Sequence, residues 1–70
     1  MEDYKIRFVA EYTHLKDRVE KLTRMLGKWD AGILDFVPTC PRSVYNLQLR
    51  YMKDYLTILE ARAIMENIDL

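Results

Sequence analysis

Residues 44–65 read VYNLQLRYMKDYLTILEARAIM, and this stretch decides the fold. Tyr45, Leu49, Met52, Leu56, Leu59 and Ala63 recur at spacings of three and four, the signature of a helix with one buried stripe. Val44, Tyr51, Tyr55, Ile58 and Met65 form a second apolar stripe beside it. Together the two cover about 200° of the helical wheel. Asn46, Arg50, Lys53, Asp54, Thr57 and Glu60 fill the remaining polar arc. One neighbouring helix covers roughly a third of a helix's circumference. The stretch therefore predicts a helix over about 41–67 that needs more than one partner.

The first partner is upstream. Residues 3–26 contain neither glycine nor proline, and Phe8, Tyr12, Leu15, Val19, Leu22 and Leu26 repeat at helical spacing. This predicts a helix over about 3–26 with a single narrow apolar face. Glu2 and Asp3 at its start, with Lys21 and Arg24 near its end, have the signs that suit the helix dipole. Gly27 is the expected stop, because glycine tolerates the left-handed conformation that ends helices. Residues 27–40 then form the connection, punctuated by Gly32 and Pro38. Trp29, Ile33, Leu34, Phe36 and Val37 make it too apolar for a solvated linker, so it is expected to fold back over the open end of the hairpin. Thr39 or Cys40 is the expected N-cap of the second helix, with Pro41 in its first turn.

The fold class that results is all-α. An antiparallel two-helix hairpin, one domain over residues 1–70 with an ordered apolar loop, assembles through its excess apolar surface into a homo-oligomeric helical bundle. Association is also what a chain of 70 residues requires, since domains this small bury a modest share of their surface. Cys40 is a single cysteine, so no internal disulfide is available, and one Cys with one His gives no zinc spacing. Charges balance at 11 basic and 11 acidic residues. That balance argues against a nucleic-acid partner held by phosphate neutralisation. No apolar run reaches the length of a membrane span, and the start has no signal-peptide pattern; the expectation is a soluble cytosolic protein.

Polar groups interrupt the wide arc of the second helix. Gln48, Tyr55 and Arg62, spaced by seven, project in nearly one direction, with Tyr51 and Glu66 close by. On the first helix Arg7, Glu11, His14 and Arg18 line one edge of the apolar face. An antiparallel hairpin brings Arg7 and Glu11 toward Arg62 and Glu66. Two readings follow. Arg62 pairs with Glu11 or Glu66 at an interface rim, with Gln48 satisfying a loop backbone group. Alternatively Arg7, Glu11, Gln48, Tyr51, Tyr55 and Arg62 line a ligand pocket between subunits, where arginines grip an anion and tyrosines stack on a planar ring. His14 reads as part of a solvated face, Cys40 as a small capping residue, and Trp29 as a loop anchor. Asp30 and Asp35 lack calcium-loop spacing. Phosphate loops, nucleophile elbows and paired catalytic carboxylates are absent from the sequence, which argues for a non-enzymatic protein without a cofactor.

Two motifs carry a family resemblance. Tyr4-x-x-Arg7-x-x-x-Glu11 with Leu15, Lys21-Leu22 and Leu26 resembles the first helix of small helical proteins encoded by phages and prophages. Gln48-x-x-x-Met52-x-x-Tyr55-x-x-x-Leu59-x-x-Arg62-Ala63 and the closing IMENIDL of residues 64–70 resemble the rest of them. The likeness spans nearly the whole chain. Some such proteins act against host defence in the host cytoplasm, as sponges that sequester cyclic or ADP-ribose-type nucleotide signals between subunits. The resemblance implies that role here, with Arg7, Gln48, Tyr55 and Arg62 in the pocket. The apolar connection from Trp29 to Val37 departs from the shorter, more polar one expected of the family. The alternative is an inhibitor or adaptor that docks the exposed face of the second helix on a host or phage protein.

Overall fold

A computed structural model describes residues 2–70. Two helices, α1 (Asp3–Asp30) and α2 (Arg42–Met65), pack against each other as a hairpin. Pairs along its length fix the antiparallel sense: Lys5 Nζ reaches the Asn67 carbonyl at 3.5 Å, Tyr12 donates to Glu60 at 2.7 Å, and Arg42 grips Asp30. The molecule measures 44 × 18 × 18 Å. Its long axis is the length of α1, since 28 residues at helical rise span about 42 Å.

The apolar stripes meet as the spacing requires. Phe8, Leu59, Ala63 and Ile68 form the buried cluster, with Val9, Tyr12 and Leu15 packed on it, and Leu59 is fully enclosed at 0% exposure. Val19 and Leu26 continue the buried line of α1 toward the connection. The cluster sits where the start of α1 lies beside the end of α2. Glu60, at the edge of this contact, accepts the Tyr12 hydroxyl and holds the phenol above its ordinary pKa, chiefly through that hydrogen bond.

Both helix ends correct the sequence reading. α1 runs through Gly27 to Asp30 and is closed by Gly32, whose φ of 72° is left-handed. Gly32 N–H donates to the Trp29 carbonyl and Ile33 N–H to the Lys28 carbonyl, both at 3.0 Å. These are the two bonds of a Schellman closure. α2 ends at Met65, short of residue 67, with the same device built on Asn67 at φ 55°. Ile68 N–H donates to the Ala63 carbonyl at 2.8 Å, and the Ile68 side chain drops into the core. Gly27 has the right identity for a stop but the wrong place. Ending α1 there would carry Trp29 off the helix and away from α2.

The connection explains why. Trp29, on the last turn of α1, meets Tyr45 edge-on at 5.9 Å between centroids, with planes at 75°. The Arg42 guanidinium lies 5.3 Å from the centre of the Trp29 indole and pairs with Asp30, whose carboxyl is held below its ordinary pKa by that hydrogen bond. Trp29 is therefore a helix residue rather than a loop anchor. The start of α2 is set by this clamp: Pro41 occupies the N-cap position in extended conformation and offers no capping side chain, so neither Thr39 nor Cys40 caps the helix. Nor does the connection bury its apolar groups as expected. Leu34 is half-buried, but Ile33, Phe36 and Val37 are exposed, Val37 at 89%.

Two glycine substitutions test the reassigned stop. A Cβ at Gly27 meets open space, so Gly27→Ala should raise the unfolding free energy by about 0.5–1 kcal/mol. Gly32→Ala, at a left-handed φ, should lower it by about 1 kcal/mol. Urea denaturation of the two variants checks the pair of signs; a loss at Gly27 would restore it as the terminator.

Candidate functional site

Each helix of the hairpin contributes one side to a shallow groove along one face of the molecule. Its first part is a cavity of about 240 Å3 lined by Glu11, His14, Leu15 and Arg18 of α1 and by Tyr55 of α2. The next part, of about 310 Å3, is lined by Arg18, Lys21, Leu22 and Met25 of α1 and by Gln48 and Met52 of α2. Helical periodicity generates this lining. Glu11, His14, Arg18, Lys21 and Met25 follow one another at steps of three and four, and Gln48, Met52 and Tyr55 do so on the facing helix. Arg18 belongs to both cavities and marks the waist between them.

Beyond the groove on α2 lies the second apolar stripe. Val44, Leu47, Tyr51, Tyr55, Ile58 and Met65 are all exposed, with Tyr51 at 64% and Ile58 at 56%. They cover about 30 Å of helix. Exposed apolar side chains scattered singly are ordinary, but a row of this length along one face is not.

The residues proposed from sequence separate into two groups. Glu11, Gln48 and Tyr55 line the groove. Tyr51 stands on the exposed stripe one turn before Tyr55. Arg62 lies toward the end of the hairpin, where its Nε donates to Glu66 Oε2 at 2.8 Å and its guanidinium sits 4.9 Å from the centre of the Phe8 ring. The hydrogen bond to Glu66 raises its already high pKa, with Glu11 adding to the field. Arg7 is turned to Asp3 at 3.5 Å, one helical turn back. Both arginines therefore have carboxylate partners four residues away in the chain, and Gln48 faces the groove.

The structure adds His14, Arg18 and Lys21 to the groove lining, residues the sequence reading did not place in a pocket. The stripe containing His14 and Arg18 was legible, but it was read as a supply of ion-pair partners for α2. The structure gives Lys21 to Asp17 at 2.9 Å and leaves Arg18 without an ion pair or hydrogen bond among the described residues. Chemically the groove offers cationic donors, one carboxylate, an amide, a phenol ring and a thioether-lined floor. Such a set can bind and orient a ligand.

A broader depression of about 510 Å3 lies between the chain ends, lined by Glu2, Lys5, Asn67, Ile68 and Asp69. It has mixed charge and lacks an aromatic wall. No helix of the described residues is long and apolar enough to cross a membrane. The Sequestin family model matches residues 2–65, and the chain belongs to that family. No curated protein and no solved structure matches it.

The two kinds of arginine should behave differently on truncation. Arg62→Ala uncovers Phe8 and leaves Glu66 unpaired, and should lower the urea midpoint. Arg18→Ala removes no hydrogen bond or ion pair among the described residues and should leave that midpoint where it is. Equal losses in the two variants would show that Arg18 has a structural partner.

Proposed function

We propose that this member of the Sequestin family is a binding protein that sequesters a small anionic nucleotide in the groove between α1 and α2, without transforming it. The observation that carries this reading is the composition of the groove. Arg18 and Lys21 supply positive charge, His14 an imidazole, Tyr55 a ring face, Gln48 an amide and Met25 and Met52 an apolar floor, all on one side of a chain with zero net charge. A phosphate meets guanidinium and ammonium donors there, and a base meets an aromatic or thioether surface. The family's name fits a sequestering role, and the resemblance to phage-encoded proteins supports reading that role as one in host cytoplasm, against a cyclic or ADP-ribose-type immune signal.

Both cavities are shallow, and pockets that hold small molecules tightly bury most of the ligand. A second copy supplies the missing wall. Packed along Val44, Leu47, Tyr51 and Ile58, it covers the exposed stripe that borders the groove and closes the groove over its ligand. Tyr51 then joins Glu11, Gln48 and Tyr55 in the site. Arg7 and Arg62, held by Asp3 and Glu66, stand at its end and serve the fold. Sequestration needs slow release rather than chemistry, and enclosure between copies provides it.

A second reading has one observation in its favour. Ile33, Phe36 and Val37 are exposed at the tip of the hairpin, away from the groove, and a tip of this kind suits docking on another protein.

Isothermal titration calorimetry of the protein against ADP-ribose, a cyclic dinucleotide and inorganic pyrophosphate tests the proposal. Heat is expected with at least one nucleotide, with one ligand per groove and unaltered ligand recovered afterwards. Absence of heat with every one of them at micromolar protein would contradict the nucleotide reading and leave the docking alternative.

A further inference from the structure

Five basic side chains lie on or near the groove face, and the fold treats them unequally. Arg7 is paired with Asp3, Lys21 with Asp17, and Arg62 with Glu66. His14 offers an imidazole, without the planar fork of donors that a guanidinium presents. Arg18 differs from all of them. It has no ion-pair or hydrogen-bond partner among the described residues, and it lines both cavities. A guanidinium without an internal partner offers all five of its donors and an uncompensated charge to a phosphate, whereas a paired one has a carboxylate beside it that partly offsets its charge.

The surroundings of Arg18 give the groove a direction. On one side stand Glu11, His14 and Tyr55. Glu11 is an acceptor only and repels phosphate, but it takes hydrogen bonds from hydroxyl groups. On the other side Leu22, Met25 and Met52 form an apolar floor beside the Gln48 amide, which can both donate and accept.

We infer that Arg18 is the anion anchor of the groove: it grips the phosphate or pyrophosphate of a nucleotide at the waist, with the sugar hydroxyls directed to Glu11 and the base laid on Met25 and Met52 against Gln48. The inference rests on the nucleotide reading of the groove and goes beyond it by fixing the gripping residue and the orientation of the ligand. It also moves the anion grip away from Arg7 and Arg62, to which the pocket reading of the sequence gives it.

The test uses the full chain, with ADP-ribose and inorganic pyrophosphate as ligands. Arg18→Gln should weaken ADP-ribose binding on the order of tenfold or more, the loss expected of a charge-assisted contact, and Arg18→Lys should recover part of it. Lys16→Gln, about 160° round α1 from Arg18 and outside the groove lining, removes the same charge and should leave affinity unchanged. Glu11→Gln should weaken ADP-ribose but not pyrophosphate, which has no hydroxyl groups. In proton–nitrogen spectra, the Arg18 Nε–H resonance should move on adding pyrophosphate while that of Arg62 stays. Circular dichroism of each variant confirms that the helices persist. Binding that survives Arg18→Gln but falls with Arg62→Gln would overturn the anchor and keep the nucleotide reading. A wild-type protein that binds neither ligand would overturn both.

Discussion

The second helix carries more apolar circumference than the first can cover. α1 buries one narrow line of residues, Phe8, Val19 and Leu26, and through it shields Leu59 and Ala63 of α2. The row from Val44 to Met65 on the neighbouring side of α2 is left in water. Among the described residues no third element lies over that row. Hydrophobic burial is the principal driving force available to a chain of this size. The uncovered face borders the groove in which the polar groups gather, and the second copy proposed for it would bury it.

What holds the hairpin in register is concentrated at its two ends. At the chain-terminal end Asn67 reverses the backbone so that Ile68 plugs the cluster of Phe8, Leu59 and Ala63. At the other end Gly32 reverses it, yet the residue that follows, Ile33, stays exposed and the clamp is made by Trp29, Asp30, Arg42 and Tyr45 instead. The same backbone device thus gives an apolar plug at one end and an aromatic and ionic clasp at the other. The clasp frees the connection from any packing duty, which accounts for the exposure of Phe36 and Val37.

Periodicity made the helices and their faces legible, because side-chain direction follows directly from the 3.6-residue repeat. It gave the antiparallel pairing, the excess stripe on α2 and the convergence of Glu11, Gln48 and Tyr55. It did not give the helix ends. Gly27 and Gly32 look equivalent as letters, and the choice between them depends on Trp29 reaching Tyr45, a contact made only in the folded chain. The pairing of Arg62 with Glu66, four residues on, was among the partners read from sequence. The importance of Arg18 was not, since a spacing pattern shows where a charge points but not which charges find partners nearby.

The account as a whole depends on copies of the chain associating through the Val44–Met65 side of α2. Sedimentation equilibrium over a range of protein concentration tests this most directly. It should give a mass of at least two chains for the wild type and of one chain for a Tyr51→Glu, Ile58→Glu double variant that keeps its helical signal. A single folded chain at every concentration, or an oligomer indifferent to those two changes, would contradict it.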